Sequence, residues 1–293
     1  MKIKRIFKSI KSKFRIGRGH PFLFLLGAST AFGYWSYERR GYENNITELN
    51  RHFDRVVFIG DTGEKSDIRE RVIEKIFELN PTEIYLMGDL CYDDGCNSLK
   101  DFQENIKPFL KEGVETHCIL GNHDHYGANK KEREWMAANS DKYGCKFENY
   151  YKGRIYTNAC IAAYDSTVYY EGKEPNILKY QEEFLLKFIK DKRCEGKLFL
   201  LTGHHNIWGM GGHINDINRS HYDFVLKLRK MAKNFKYIHG HEHLMANYSG
   251  NIYTFGSGAK IDACERQPTK GFCYEKNGFG WFENDLMMPI VVE

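Results

Sequence analysis

The sequence predicts an α/β fold built on a mixed sheet or two packed sheets. Short apolar runs alternate with helix-period stretches through the first half of the chain, and strand-like runs cluster late. No repeat, low-complexity segment or Pro/Gly/Ser linker divides the chain after residue 40. The 293 residues are 42% hydrophobic and 15% aromatic, enough for a sizeable core in one large domain or at most two. With 28% charged residues and six prolines, a disordered or collagen-like chain is excluded.

The elements follow in order. Arg55–Ile59 (RVVFI) reads as a buried strand. Ser66–Leu79 places Ile68, Val72, Ile73, Ile76 and Phe77 at helical spacing. Glu83–Met87 (EIYLM) is the next strand, then a helix around 98–112, then a strand at Thr116–Leu120. Ala159–Ala163 is a strand, Tyr180–Lys190 an amphipathic helix, and Lys197–Leu201 (KLFLL) a strand. His221–Met231 is a helix with Phe224, Val225, Leu228 and Met231 on one face. Lys236–Ile238, Asn251–Phe255 and Gly280–Phe282 complete the strands.

Charge separates a leader from the body. Residues 1–40 hold ten Lys/Arg and one acid, Glu38, so the remainder carries 33 basic and 38 acidic residues, a net −5. A basic nucleic-acid-binding body is therefore excluded. Residues 1–19 are polybasic, and His20–Tyr37 is an 18-residue run without Lys, Arg, Asp or Glu. That run is short for a spanning helix and diluted by Gly, Ser and Thr. It reads as a signal anchor with the body on the exoplasmic side, as a signal cleaved near Ser29–Ala31, or as an amphipathic targeting leader. The division expected is a leader, 1–40, and one folded body, 41–293. The eight cysteines (Cys91, Cys96, Cys118, Cys145, Cys160, Cys194, Cys264, Cys273) fit either an exported disulfide-bonded body or buried thiols. Sequons at Asn45, Asn218 and Asn247 decide little in a chain this rich in Asn.

The chemistry sits at strand ends. Five apolar runs end in Gly followed by metal-ligating residue types: Asp61; Asp89, with Tyr92 three further on; Asn122-His123-Asp124; His204-His205; and His241-Glu242-His243. The carboxyl ends of α/β strands share one edge, where ligand sites form. Carboxylate, amide oxygen, phenolate and imidazole suit iron, zinc and manganese. Each piece alone is weak, but the ordered set of five is not a chance pattern.

These motifs, Gly60-Asp61-Thr62-Gly63, Gly88-Asp89-Leu90-Cys91-Tyr92, Gly121-Asn122-His123-Asp124, Gly203-His204 and Gly240-His241-Glu242-His243, resemble the calcineurin-like metallophosphoesterases. More narrowly they resemble the small, tartrate-resistant type of purple acid phosphatase, from about residue 53 to 283. Most of the superfamily reads D-x-H at the first motif. Gly63 stands there instead, and Tyr92 supplies the replacement ligand, as in the purple branch.

The resemblance implies a four-layer α/β/β/α sandwich with mixed sheets and two metal ions. Asp61, Asp89, Tyr92 and His243 would hold Fe(III), the hard phenolate favouring a trivalent ion. Asp89, Asn122, His204 and His241 would hold Fe(II), Zn or Mn, with Asp89 bridging. His123 would contact the substrate phosphate. His213, nine residues after His204, would be the proton donor, against the alternative of a flexible Gly-rich loop residue. His125, His205 and His239 are expected as neighbours, Asp124 and Glu242 as acceptors that orient adjacent imidazoles, and Asp165 in a structural role. Cys91 lies beside two expected ligands, next to the acidic loop 93–98. The implied activity is hydrolysis of phosphate monoesters by a metal-bound hydroxide, on a small phosphorylated substrate or phosphoprotein. The alternatives are a phosphodiesterase or nucleotidase of the same superfamily and a non-catalytic membrane-tethered binding protein.

Overall fold

Strands that are apolar on both faces need cover on both, and the chain supplies it with two sheets between two layers of helices. The computed structural model describes residues 42–92, 99–127, 145–147, 151–172 and 174–293. The leader 1–40 and the loop 93–98 lie outside the described residues. Residues Ile46–Glu293 form one unit. Its strands in chain order are β1 (Ile46–Glu48), β2 (Val56–Ile59), β3 (Glu83–Met87), β4 (Glu115–Ile119), β5 (Cys145–Phe147), β6 (Tyr151–Ile155), β7 (Ala159–Tyr164), β8 (Leu198–Thr202), β9 (Phe235–His239), β10 (Met245–Tyr248), β11 (Ile252–Phe255), β12 (Gly271–Tyr274), β13 (Gly278–Glu283) and β14 (Leu286–Val291). The helices are α1 (Asp67–Glu78), α2 (Leu99–Ile106), α3 (Asn122–Gly127), α4 (Val168–Glu171), α5 (Pro175–Phe188) and α6 (Arg219–Arg229).

One sheet runs β14-β13-β2-β3-β4-β5, the other β1-β6-β7-β8-β9-β11-β10-β12. Both are mixed. β2, β3, β4 and β5 are parallel, with antiparallel β13 and β14 at one edge. β7, β8, β9 and β11 are parallel, with antiparallel β10 and β12 beyond. This is the expected α/β/β/α sandwich.

Alternation sorts the apolar residues between layers. Val56 and Phe58 of β2, Tyr85 and Met87 of β3, and Ile119 of β4 face the other sheet, where they meet Ile161, Ala163, Leu200, Ile238 and Phe255. Val57, Ile59, Ile84 and Leu86 face α1 and α2, against Val72, Ile76, Phe102 and Ile106. On the far side α5 covers β6 and β7, with Phe188 5.7 Å from Phe199, and α6 covers β9.

Helix boundaries follow their caps. The Ser66 side chain accepts from Arg69 N and starts α1. α2 ends at Ile106, before Pro108, and passes into a single 3-10 turn, so it is shorter than the expected 98–112. α5 starts five residues before the expected Tyr180 because Pro175 opens its first turn. The strands the sequence did not reveal are short or half-exposed. β14 alternates weakly and carries Pro289 on an edge strand, where a missing N–H is tolerated.

Disulfides join Cys118 to Cys145, Cys160 to Cys194 and Cys264 to Cys273; Cys91 is disulfide-bonded too. Two sequons are structurally occupied. Asn218 caps α6 and donates to Tyr169 O (2.8 Å), and Asn247 is buried within β10.

At the amino end of β3, away from the strand ends that carry the motifs, Glu83 is buried. It accepts from Arg51 Nη2 (2.7 Å), Tyr156 Oη (2.6 Å) and His117 Nε2 (3.1 Å). Burial raises its pKa, but His117, Tyr156 and Arg51 outweigh that and hold it below the ordinary glutamate value. A lowered folded pKa contributes stability that is present above the unfolded value and lost as pH falls through the folded one. Glu83→Gln is therefore expected to lower the unfolding free energy by about 3 kcal/mol at neutral pH. The gap to the parent should shrink below pH of about 4. Urea unfolding of metal-free protein at both pH values checks this, and a pH-independent gap would count against the charge account.

Candidate metal centre

The described motifs all fall at carboxyl ends of parallel strands. Asp61 follows β2 and Asp89 follows β3. Asn122 and His123 open α3 after β4, His204 follows β8, and His241 and His243 follow β9. Three of these strands belong to one sheet and two to the other, so the site straddles the join. Hydrogen bonds stitch that join: Gly60 N donates to Phe255 O (2.7 Å) and His241 N to the Asp61 carboxylate (2.8 Å).

Three of the residues stand in the left-handed region: Asp61 (φ 58), Asp89 (φ 51) and His241 (φ 67). For non-Gly residues this costs about 1–2 kcal/mol each, though Asp and His tolerate it better than most. Glycines at the strand ends admit the crowding. A Cβ on Gly121 would collide with Asp89 Oδ1 and with its amide, and one on Gly240 would lie 2.7 Å from Asp61 Oδ2. At Gly63 a side chain would strike the Cys91 backbone at 2.6–2.8 Å, so this turn has no room for the histidine that D-x-H would place there.

The candidate ligand atoms converge at hydrogen-bond distance. His204 donates Nδ1–H to Met87 O (2.8 Å), which turns Nε2 into the site. There Nε2 meets Asn122 Oδ1 (3.0 Å), His241 Nδ1 (3.2 Å) and Asp89 Oδ1 (3.3 Å). His243 is held the same way. Its Nδ1 pairs with Asp262 (3.2 Å), and its Nε2 faces Tyr92 Oη (3.1 Å) and Asp61 Oδ1 (3.6 Å). Tyr92 Oη is also 3.4 Å from Asp61 Oδ1. Ligand atoms of Asp61, Asp89 and His204 lie within 4.8 Å of one another.

The electrostatics show what this crowd lacks. Burial, together with Asp89, pushes the Asp61 carboxyl up to about 6, against His204 and His243. Burial opposes charge on His204, yet Asp89 and Asp61 raise it to about 9. The chain without metal thus holds a proton on His204 where acceptors converge. Burial, then Asp61 and Asp89, drives the Tyr92 hydroxyl far above the phenol range, so its proton leaves only for a strong cation. A donor set of this kind fits metal ions.

The remaining predicted residues are close by. His123 lies with its ring 4.8 Å from Tyr92, and its amide donates to Asp89 Oδ1 (3.0 Å). His213 is 4.3 Å from the His241 ring and 5.5 Å from His243, its Nδ1 paired with Asp216 (2.8 Å). His205 stands nearer than a bystander. Its ligand atom lies within 4.8 Å of those of His204 and His241, while Ser166 and a stacked Tyr170 hold its ring. His239 is buried against Thr254, and His125 pairs with Asp165 (2.9 Å).

Asp124 and Glu242 do not orient imidazoles as expected; both hold backbone. Asp124 accepts from Leu90 N (2.9 Å), Cys91 N (3.0 Å) and Gly121 N (2.8 Å), locking two site loops together. Glu242 accepts from Met210 N (2.9 Å), Gly211 N (3.0 Å) and Tyr248 Oη (3.2 Å). The orienting acceptors are instead Met87 O and Asp262. Asp262 gave no sequence signal, since it lies in an aperiodic stretch. Asp216 did give one, being the acid nearest His213 in that loop. Among the described residues a second acceptor group, Glu83, Glu115 and His117, is bridged by Arg51, whose Nη2 lies 2.7 and 2.6 Å from the two carboxylates.

The calcineurin-like phosphoesterase profile matches residues 54–245. The chain belongs to that family. Family members use two metal ions, which suits the acceptor cluster described above. A search of curated proteins finds no match. Solved structures with the same fold include GAP50, the anchor in the inner membrane complex of Plasmodium (TM-score 0.61, 16% identity, 82% of this chain and 84% of that one). They also include the purple acid phosphatase PPD1 from yellow lupin (Lupinus luteus) seeds (0.57, 16%, 79% and 49%). A dimetal phosphatase from Danio rerio is a third (0.53, 12%, 80% and 95%). The chain spans about half of the lupin protein, and at these identities the likeness concerns the fold alone.

Gly121→Ala is expected to weaken metal binding by on the order of 10–100-fold, because the added methyl meets both the Asp89 carboxylate and its backbone amide and forces the two turns apart. Competition with a chelator, alongside circular dichroism, measures it; unchanged affinity would show that Asp89 does not depend on this close approach.

Proposed function

We propose that this phosphoesterase is a binuclear metal-dependent phosphatase that hydrolyses phosphate monoesters, of the purple acid type. The observation that carries this reading is the pairing of Gly63 with Tyr92. The turn at Gly63 is closed to a histidine, and a tyrosine hydroxyl stands beside Asp61 and His243. In this reading Asp61, Asp89, Tyr92 and His243 hold Fe(III), and Asp89, Asn122, His204 and His241 hold Fe(II), Zn or Mn. When bound, the metals supply a nucleophilic water at neutral pH and charge that neutralises the phosphoryl oxygens. The residues of the chain do the rest. His123 binds a phosphate oxygen. His213, held by Asp216, gives its proton to the leaving alkoxide. Met87 O and Asp262 keep the ligand nitrogens of His204 and His243 turned inward.

The disulfides and the polybasic leader support a body on the exoplasmic side, tethered by residues 20–37 or released after cleavage. Among the described residues no helix is long and apolar enough to cross a membrane. A second reading is a tethered anchor without turnover, favoured by the likeness to GAP50, described as an anchor. The unbroken acceptor set speaks for catalysis.

Full-length protein produced with iron, zinc and manganese is expected to carry about two metals per chain, one of them iron. Asp89→Ala or His241→Ala should abolish turnover of a small monoester, and full activity in either would overturn the assignment. Tyr92→Phe should remove the visible absorption of the iron site; an unchanged spectrum would exclude a tyrosinate ligand. A panel including phosphodiesters and nucleotides separates the related hydrolases, and metal without turnover on any of them favours the anchor.

His213→Gln should lower kcat for esters with poor leaving groups by about 100-fold or more, and far less for a good leaving group. Equal losses on both would remove His213 as proton donor.

A further inference from the structure

The loop between β8 and α6 carries Trp208 midway between His204 and His213, half exposed at 50%. Cavities of about 300 and 410 Å³ flank it and share Trp208, Gly209 and Arg266 as a common wall. Tyr248 lines the first and Tyr222 the second, each with its ring 6.5 Å from Trp208. Trp208 is the exposed ring of the three, with Tyr222 half-buried and Tyr248 buried against it.

Its charge is one-sided. Arg229, Arg266 and Lys270 line the first cavity and Arg219 the second, and no carboxylate lines either. Arg219 is paired with Asp223 (3.0 Å). Among the described residues, no ion pair engages Arg229, Arg266 or Lys270. This stands on a body whose net charge beyond residue 40 is −5, so the groove reverses the local sign.

The walls are built. The Cys264–Cys273 disulfide staples the loop that carries Arg266 and Lys270, and Arg266 N donates to Met210 O (3.2 Å). The floor is fastened to the metal centre through Glu242, which holds Met210 N and Tyr248 Oη and stands between His241 and His243.

We propose that this groove docks an extended acidic segment of a partner protein. An exposed Trp beside Arg is the kind of side chain that anchors protein interfaces, and a lining whose charged members are all cations selects acidic partners. Two cavities end to end around one tryptophan suit a chain passing over it. A nucleotide stacked on Trp208 would fill one cavity only and leave the other empty, whereas an extended chain fills both. The proposal does not depend on catalysis.

The test uses the full chain and fluorescence anisotropy of a labelled Glu-rich peptide with one central Leu, beside its Lys-for-Glu counterpart. The acidic peptide should bind and weaken as salt rises, and the basic one should not bind. Arg266→Glu and Trp208→Ala should each weaken binding about ten-fold, the loss of one interface anchor. Lys190→Glu, on another face, should leave it unchanged, and circular dichroism confirms that each variant is folded. Equal binding of both peptides, or insensitivity to Arg266→Glu, overturns the proposal. So does binding of ATP in place of the peptide, or a dimer that Arg266→Glu dissociates, which would make the occupant a second copy.

Discussion

Two carboxylates buried among an amide oxygen and three imidazoles need positive charge among them, and the geometry of this chain is arranged around that deficit. His204 Nε2 is surrounded by an amide oxygen, a carboxylate and another imidazole nitrogen, because its other nitrogen is committed to Met87 O. Without metal the protein answers with a proton on His204. That is a weak substitute, since one proton serves a cluster that also contains Asp61, whose own carboxyl is pushed up towards neutrality. Metal binding therefore displaces protons, and affinity for it couples to pH through the whole cluster.

Placing the cluster depends on two sheets rather than one. Asp61, Asp89 and Asn122 come from one sheet, and His204, His241 and His243 from the other. The apolar layer between them, with Phe58, Tyr85, Met87, Leu200, Ile238 and Phe255, sets how the two rows of strand ends meet. Met87 serves in both roles: its side chain packs between the sheets and its carbonyl fixes the tautomer of His204. At the amino end of β3, Glu83 and Arg51 form a satisfied ion pair. The same sheet thus carries a compensated charge cluster at one end and an uncompensated one at the other.

Much of this was legible in the sequence. The run of Gly followed by a polar donor at five strand ends marked Asp61, Asp89, Asn122, His204 and His241, which the fold brings together, because a buried parallel strand must be apolar and the change to Asp, Asn or His is abrupt. β2, β3, β7, β8 and β9 were legible for the same reason. β1, β5, β6, β10, β12 and β14 were not, since short or half-exposed strands show neither a continuous apolar run nor clean alternation. Asp262 was invisible because it orients His243 from an aperiodic loop through tertiary contact alone. Asp124 and Glu242 were visible but misread. Their neighbours in sequence are ligands, whereas their carboxylates turn to backbone amides across the site.

The left-handed backbone at Asp61, Asp89 and His241 also limits how this site can decay. Only Gly, Asn, Asp and, less readily, His hold such a conformation cheaply, and β-branched residues are effectively barred. Evolutionary loss of metal would thus leave a recognisable scar. A relative that had abandoned the ion but kept the architecture would carry Asn or Gly at these three positions, not Val or Ile. The turns would outlive the chemistry they were shaped for.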